Sequence, residues 1–186
     1  MKKAIVLVSG GIDSAVALAW ARERFRVTAL SCEVAGRPRR EAKACEAVTR
    51  RARVQLLRVP LPFLRPRPSG YAPARNLVIH AIALSIAEDR GAEAVVAGHN
   101  SSDASFFEDA RPAYFRRVES LGNGVRILLP FARMTDAEVT AMGVRMRVPL
   151  ELTWSCYRDG ARPCRRCSAC RGRIESFRSS GLEDPS

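Results

Sequence analysis

Residues 4–14 read Ala4-Ile5-Val6-Leu7-Val8-Ser9-Gly10-Gly11-Ile12-Asp13-Ser14. Five apolar residues in a row, without alternation, mark a strand buried on both faces, as parallel sheets require. The run stops at Ser9. Two glycines then let the backbone turn tightly and bring amide N–H groups towards an anion. Residues 14–25 follow with Val16, Ala19 and Trp20 at helical spacing. The positive end of that helix points at the same spot as the turn amides. Ser9 and Ser14 add hydroxyl donors, and Asp13 brings a carboxylate that can hold Mg2+ or orient the loop. A plain Ser/Gly turn would use the same residue types, and the strand–loop–helix context separates the two readings.

Outward from this unit, residues 27–30, 54–59, 94–97 and 125–129 predict four more strands. Helices are predicted over 40–52, with Ala44, Cys45, Val48 and Ala52 inward, over 76–90, ended by Gly91, and over 135–146. In the last of these, Thr135 as N-cap and Glu138 three residues on form a capping box. A proline-rich connector spans 60–73 and is predicted to lack regular structure. Beyond Pro149 the chain reads as loop and cysteine cluster, with a short helix near 173–177. Strands alternating with helices give an α/β fold, a five-stranded parallel doubly wound sheet. Ligands bind such sheets at the carboxyl ends of the strands. The 186 residues fit one domain, residues 1–186, with a full core and no internal repeat.

Of the 31 basic residues only Lys2, Lys3 and Lys43 are lysine, and the formal net charge is +12. Such a charge can mark a nucleic-acid face or a solvated arginine-rich surface. The arginines recur in small groups, such as Arg22/Arg24/Arg26 and Arg50/Arg51/Arg53, which favours the solvated surface over direct nucleic-acid binding. Some of that charge can still attract ATP. No apolar run approaches a membrane span and no signal-peptide pattern is visible, so a cytoplasmic protein is expected.

Four of six cysteines, Cys156, Cys164, Cys167 and Cys170, form C-x7-C-x2-C-x2-C within segment 150–175. A C-x2-C pair grips a metal from one turn, and four thiolates close a tetrahedral shell suited to structural Zn2+. An iron–sulfur cluster, a redox pair and unligated thiols are the other readings. Arg162, Arg165 and Arg166 can offset the charge of a tetrathiolate, and Cys32 and Cys45 read as core thiols.

The glycine loop lacks the Gly-Lys-Ser/Thr of kinases and GTPases and is not the dinucleotide fingerprint. It resembles the PP-loop of ATP pyrophosphatases, whose fold is adenine nucleotide alpha-hydrolase-like. Those enzymes cleave ATP between the α and β phosphates and hold the departing pyrophosphate. The resemblance implies Ser9, Asp13 and Ser14 as catalytic residues, and Val8, Ser9, Gly10, Gly11, Ile12, Asp13, Ser14 and Gly98 as nucleotide-binding.

Three further segments narrow the resemblance: Tyr71-Ala72-Pro73-Ala74-Arg75-Asn76, then Gly98-His99-Asn100 with the run from Asp103 to Pro112, then Glu151-Leu152-Thr153-Trp154-Ser155-Cys156-Tyr157. With the loop and the cysteine spacing they are similar to 7-cyano-7-deazaguanine synthase, the queuosine and archaeosine precursor family, in order from residue 6 to 185. The resemblance implies ATP-dependent adenylation of 7-carboxy-7-deazaguanine, amidation by ammonia, and dehydration to the nitrile with a second ATP. It implies ATP, Mg2+ and Zn2+ as cofactors, and a homodimer. Arg75, Asn76, Asp103, Ser105, Asp109 and Arg111 carry over as substrate residues, with Asp109 reading the guanine-like N–H edge and Arg111 holding a carboxylate or buttressing Asp109.

The sequence also departs from that family. Its usual Asp-Tyr-Gly-Gln-Arg-His after the second strand reads Glu33-Val34-Ala35-Gly36-Arg37-Pro38 here, and its Thr-Lys pair reads Thr135-Asp136. The connector before Tyr71 is shorter than usual. Two readings follow: a nitrile-forming synthase, or a homologue that delivers the activated acid to another amine, such as a protein N-terminus in antiviral defence. A zinc-bearing RNA-binding module is a third, opposed by the intact loop.

Overall fold

The computed structural model describes residues 1–67 and 72–186, so Tyr71 and part of the proline-rich connector lie outside the described residues. In chain order the strands are β1 (Lys3–Leu7), β2 (Arg26–Val34), β3 (Leu56–Leu61), β4 (Ala94–Val96) and β5 (Arg126–Leu128). The helices are α1 (Ile12–Arg22), α2 (Arg39–Arg51), α3 (Arg75–Asp89), α4 (Ser101–Phe106), α5 (Pro112–Glu119), α6 (Asp136–Arg145) and α7 (Ser168–Ser179). Short 3-10 turns occupy Glu108–Ala110 and Leu150–Leu152.

All five strands run parallel in the order β3-β2-β1-β4-β5. The chain reverses direction across the sheet between β1 and β4, and the crevice at that switch point is where open α/β sheets bind ligands. Alternation along β1 divides the core. Ala4, Val6 and Val8 face one layer with Val16 of α1, Val48 of α2, Val139 of α6 and Phe177 of α7. Ile5 faces the other layer with Leu84 of α3 and Val118 of α5. The sheet is therefore covered on both faces, as its all-apolar first strand requires.

Five elements differ from the sequence reading. β2 runs on to Val34 because its second half, with Ser31, Cys32 and Glu33, pairs with β3 through Val34 and Leu61. β3 includes Pro60, which an edge strand tolerates because no neighbour needs its N–H. The stretch between Gly98 and Asn123 holds two helices that periodicity did not mark. α4 buries none of its residues, while α5 starts with Pro112 at its first turn and turns only Phe115 and Val118 inward. α7 is a full 12-residue helix rather than a short one, and two of its inward positions, Arg173 and Ser176, are polar. The capping box at Thr135 is present: Glu138 N–H donates to Thr135 Oγ1 at 3.3 Å and Thr135 N–H donates to Glu138 Oε2 at 2.7 Å.

Phe131, in the turn after β5, is fully buried in the larger core cluster. Replacing it with alanine is expected to cost about 3–5 kcal/mol, read as a lower urea midpoint at unchanged slope.

Candidate active site and metal centre

Gly10 takes φ +104°, and a Cβ there would sit 2.5 Å from the Glu41 carbonyl oxygen and 2.7 Å from the Cys45 nitrogen. Only glycine fits that conformation against α2. Around it the loop folds on its serines. Ser9 N–H and Gly10 N–H both donate to Ser14 Oγ at 3.2 Å, Gly11 N–H donates to Ser9 Oγ at 3.2 Å, and Ser14 Oγ donates to the Gly11 carbonyl at 3.0 Å. Backbone amides and two hydroxyls thus gather at the start of α1, where the helix dipole adds positive potential. Gly98, just past β4, is the second close approach: a Cβ there would sit 2.7 Å from the Asp13 carbonyl.

These elements frame a cavity of about 670 Å3 over the carboxyl ends of the strands. Val8, Ser9, Asp13, Ser14 and Gly98 line it, as do Arg75, Asn76 and Asp103. Ser105, Asp109 and Arg111 do not. Ser105 Oγ donates to the Ser101 carbonyl at 2.9 Å, and Arg111 lies 3.8 Å from Glu108. Asp109 is tied to the cavity wall through its backbone, whose carbonyl accepts from Asn76 Nδ2 at 3.0 Å.

The electrostatics are uneven. Burial, followed by the nearby charges of Asp103 and Asp136, pushes the Asp13 carboxyl up to about 8, opposed by a hydrogen bond from the Asn100 side chain. Asn100 organises this corner. Its Oδ1 accepts from Ser102 and Asp103 N–H at 2.9 and 3.1 Å, capping α4, and its Nδ2 donates to Asp136 Oδ1 at 2.7 Å. On the other wall, His80 is 1% exposed and its Nδ1 lies 2.8 Å from the Asn76 carbonyl. The neutral ring holds its proton there, so Nε2 is an acceptor with no partner among the described residues. Burial and neighbouring His99 push His80 down to about 3. The rings of His80, His99 and Phe115 pack together, with centroids 4.6 to 5.4 Å apart.

Arg37 is the site residue that sequence reasoning missed. Its side chain is only 8% exposed, and it donates to the Ser9 carbonyl and to Ser31 Oγ, the latter at 2.8 Å. Glu33 and Glu41 lie 3.8 Å away on either side. It therefore clamps the loop to the end of β2. The signal was present, since Arg37 is the one position of the family's Gln-Arg-His that this sequence keeps.

The sulfur atoms of Cys156, Cys164, Cys167 and Cys170 all lie within 4.8 Å of one another, with Cys164 and Cys170 at 3.9 Å. A tetrahedron with metal–sulfur bonds of about 2.3 Å has sulfurs about 3.8 Å apart, so the set fits one ion. Backbone N–H groups of Arg158 and Cys164 point at Cys156 Sγ, and that of Cys170 at Cys167 Sγ, each at 3.4 Å. Backbone N–H groups of Arg166 and Cys167 pull the Cys164 thiol down to about 6. Donors aimed at sulfur suit thiolate ligands. The segment also docks on the loop: Trp154 N–H donates to the Gly10 carbonyl at 2.9 Å, and Trp154 Nε1 donates to the Cys156 carbonyl at 2.8 Å. Asp159 Oδ1 accepts from Arg40 N–H at 2.9 Å, closing the start of α2.

The family model described as "Queuosine biosynthesis protein QueC" matches residues 3–66 and 65–181. The chain belongs to the QueC family. A 7-cyano-7-deazaguanine synthase of Thermoplasma volcanium is 33% identical over 99% of this chain and 90% of its own length. Synthases of the same name from Methanoculleus marisnigri and a Synechococcus strain are each 35% identical, over 100% and 98% of this chain and 98% and 96% of theirs. The first alignment runs over 216 positions against 186 residues here, so at least 30 positions (216 minus 186) have no counterpart in this QueC-family chain. The two matched pieces meet at residues 65–66, in the shortened connector after β3. Among solved structures, NMN synthetase from Francisella tularensis superposes with a TM-score of 0.63 at 14% identity, over 97% of this chain and 77% of its own. NH3-dependent NAD synthetase from Campylobacter jejuni gives 0.59 at 11%, over 81% and 66%. These two share the fold. No described helix is long and apolar enough to cross a membrane.

Two measurements probe this geometry. Cys167→Ser is expected to lose the bound metal, about one Zn2+ per chain in the parent, and to melt at a lower temperature, read by metal analysis and thermal unfolding. His80 binds a proton in the unfolded chain below about pH 6.5 and resists it in the fold down to about pH 3. Its contribution to stability is complete above pH 6.5 and is lost as pH falls through that window. Urea titrations between pH 7 and 5 should show a flatter loss of stability in His80→Gln than in the parent.

Proposed function

We propose that this chain is one PP-loop domain, residues 1–186, with a zinc-binding segment at 150–175, and that it adenylates 7-carboxy-7-deazaguanine with ATP on the way to 7-cyano-7-deazaguanine. The observation that carries this reading is the serine-glycine loop at the β1/β4 switch point, in a family whose curated relatives are 7-cyano-7-deazaguanine synthases. The substrate carboxylate attacks the α-phosphorus, and pyrophosphate leaves. A carboxylate resists attack by an amine until its oxygen becomes a good leaving group, and AMP is one. Ammonia displaces AMP to give the amide. A second ATP then activates the amide oxygen, and loss of AMP and protons gives the nitrile.

In this reading the loop amides with Ser9 and Ser14 hold the leaving pyrophosphate, and Asp13 would hold Mg2+, which would supply charge neutralisation for the phosphates. Gly10, Gly11 and Ile12 shape the loop around the phosphates, and Gly98 lets the chain after β4 pack against Asp13. Arg75, Asn76 and Asp103 face the acid substrate. Ser105, Asp109 and Arg111 belong to the same segment and connect to the cavity through the Asn76–Asp109 hydrogen bond. Catalysis rests on positioning and on neutralising phosphate charge. The four-cysteine centre would be structural, since its closed shell leaves no position for substrate.

One observation favours a second reading, in which the activated acid passes to an amine other than ammonia. Asp136, at the family's lysine position, hydrogen-bonds Asn100 and raises the neighbouring Asp13. A cation there has become an anion beside the phosphate loop.

Purified protein given ATP, Mg2+ and 7-carboxy-7-deazaguanine is expected to release pyrophosphate, and Ser14→Ala to lower the rate at least about tenfold. Absence of release with that acid sinks both readings. Added ammonium separates them by mass spectrometry: a nitrile supports the first, and a persistent acyl-adenylate supports the second.

A further inference from the structure

The amino-terminal ends of the strands carry a second cavity of about 620 Å3, at the opposite end of the sheet from the phosphate loop. Five cations line it: Lys3, Arg22, Arg26, Arg53 and Arg90. They come from five places, the start of β1, the end of α1, the start of β2, the turn after α2 and the end of α3. No Asp or Glu lines it, and Phe25 forms part of the wall. The volume falls within the range of about 300–1,000 Å3 typical of small-ligand sites.

Helix ends explain part of this charge, because α1, α2 and α3 all finish here and cations complement their negative ends. Arg22, in the last turn of α1, is one such cation, and the hydrogen bonds show two more. Lys3 Nζ donates to the Arg90 carbonyl at 3.0 Å, and Arg24, outside the cavity, donates to the Trp20 carbonyl at 2.7 Å. The nearby carboxylates are also taken, Glu23 by Arg24 at 3.0 Å and Glu93 by Lys2 at 2.6 Å. The guanidinium groups of Arg22, Arg26, Arg53 and Arg90 have no side-chain hydrogen bond or ion pair among the described residues, in contrast to Arg37, Arg40 and Arg173 elsewhere. Four like charges around one concavity repel, and a bound oxyanion relieves that repulsion.

We propose that this cavity is a second anion site that takes the phosphate groups of a nucleotide, with its base against Phe25. The nucleotide is either free or part of a single-stranded RNA, since both present the same phosphate oxygens and a base face. β1 is five residues long, which separates the site from the phosphate loop by roughly 16 Å at about 3.3 Å per residue. Binding here therefore does not require the acid substrate or the loop.

The test uses the full chain without Mg2+ or any other nucleotide, so that binding at the loop is common to the parent and both variants and their difference reports this cavity. ADP binding is followed by calorimetry, and that of a fluorescein-labelled 12-nucleotide poly(U) by anisotropy. Two charge-reversed pairs are compared, Arg26→Glu with Arg53→Glu in the cavity, and Arg116→Glu with Arg117→Glu on α5, which change net charge equally. The cavity pair is expected to weaken at least one probe about tenfold or more, while the α5 pair binds as the parent does. If RNA is the ligand, the cavity pair also flattens the salt dependence by about 1.4 in the slope of log K against log salt. ADP affected alone identifies a free nucleotide, and RNA affected alone identifies a strand. Equal weakening by both pairs overturns the proposal, because binding then follows total charge alone, and no binding of either probe overturns it by showing no nucleotide site. Pyrophosphate release is expected to persist in both pairs, so this result stands apart from the test of the adenylation chemistry.

Discussion

The site depends on a close approach at Gly10. Its left-handed backbone lets α2 come within contact of the loop, and its carbonyl accepts the Trp154 N–H. Three parts of the chain meet there: the loop after β1, the start of α2 and the segment leading to the cysteines. Any side chain at position 10 would drive α2 and the loop apart, since the nearest atoms are backbone and cannot swing away. Gly98 plays the matching part on the β4 side. The loop is held from both flanks before a ligand arrives, which is the preorganisation that charge-stabilising catalysis needs.

Charge near the loop is divided between two walls. Asp13, Asp103 and Asp136 cluster about Asn100, where burial and mutual repulsion favour the protonated form of Asp13. Arg37 sits on the other wall, shielded from water and flanked by Glu33 and Glu41. Burial raises Glu41 as well, opposed by Arg37 and Arg75. Breaking such a buried group by removing one partner leaves the other uncompensated, so Arg37 and its carboxylates are best regarded as one unit.

What the sequence made legible was local. The run from Ala4 to Val8, the glycine turn and the cysteine spacing each lie within a few residues, and each carries its own physical signature. The strand number came from four further short apolar runs, and the parallel sheet with layers on both faces from their alternation with helices. α4 escaped because it is six residues long, is held by the Asn100 cap and buries no side chain, so it has no apolar period. α7 was read as only a short helix because Arg173 is one of its buried positions, made tolerable by Asp184, Thr153 and the Leu150 carbonyl, which lie elsewhere in the chain. The basic cavity belongs to the same class: its five cations come from distant segments, and no window of sequence contains them.

The Trp154–Gly10 hydrogen bond joins residues 144 positions apart (154 minus 10). Contacts of such separation form late, because the loop-closure entropy must be met first. On a ribosome, the phosphate loop emerges early and waits for the cysteine segment to arrive. The geometry of the loop is therefore completed only once the segment around Trp154 is in place.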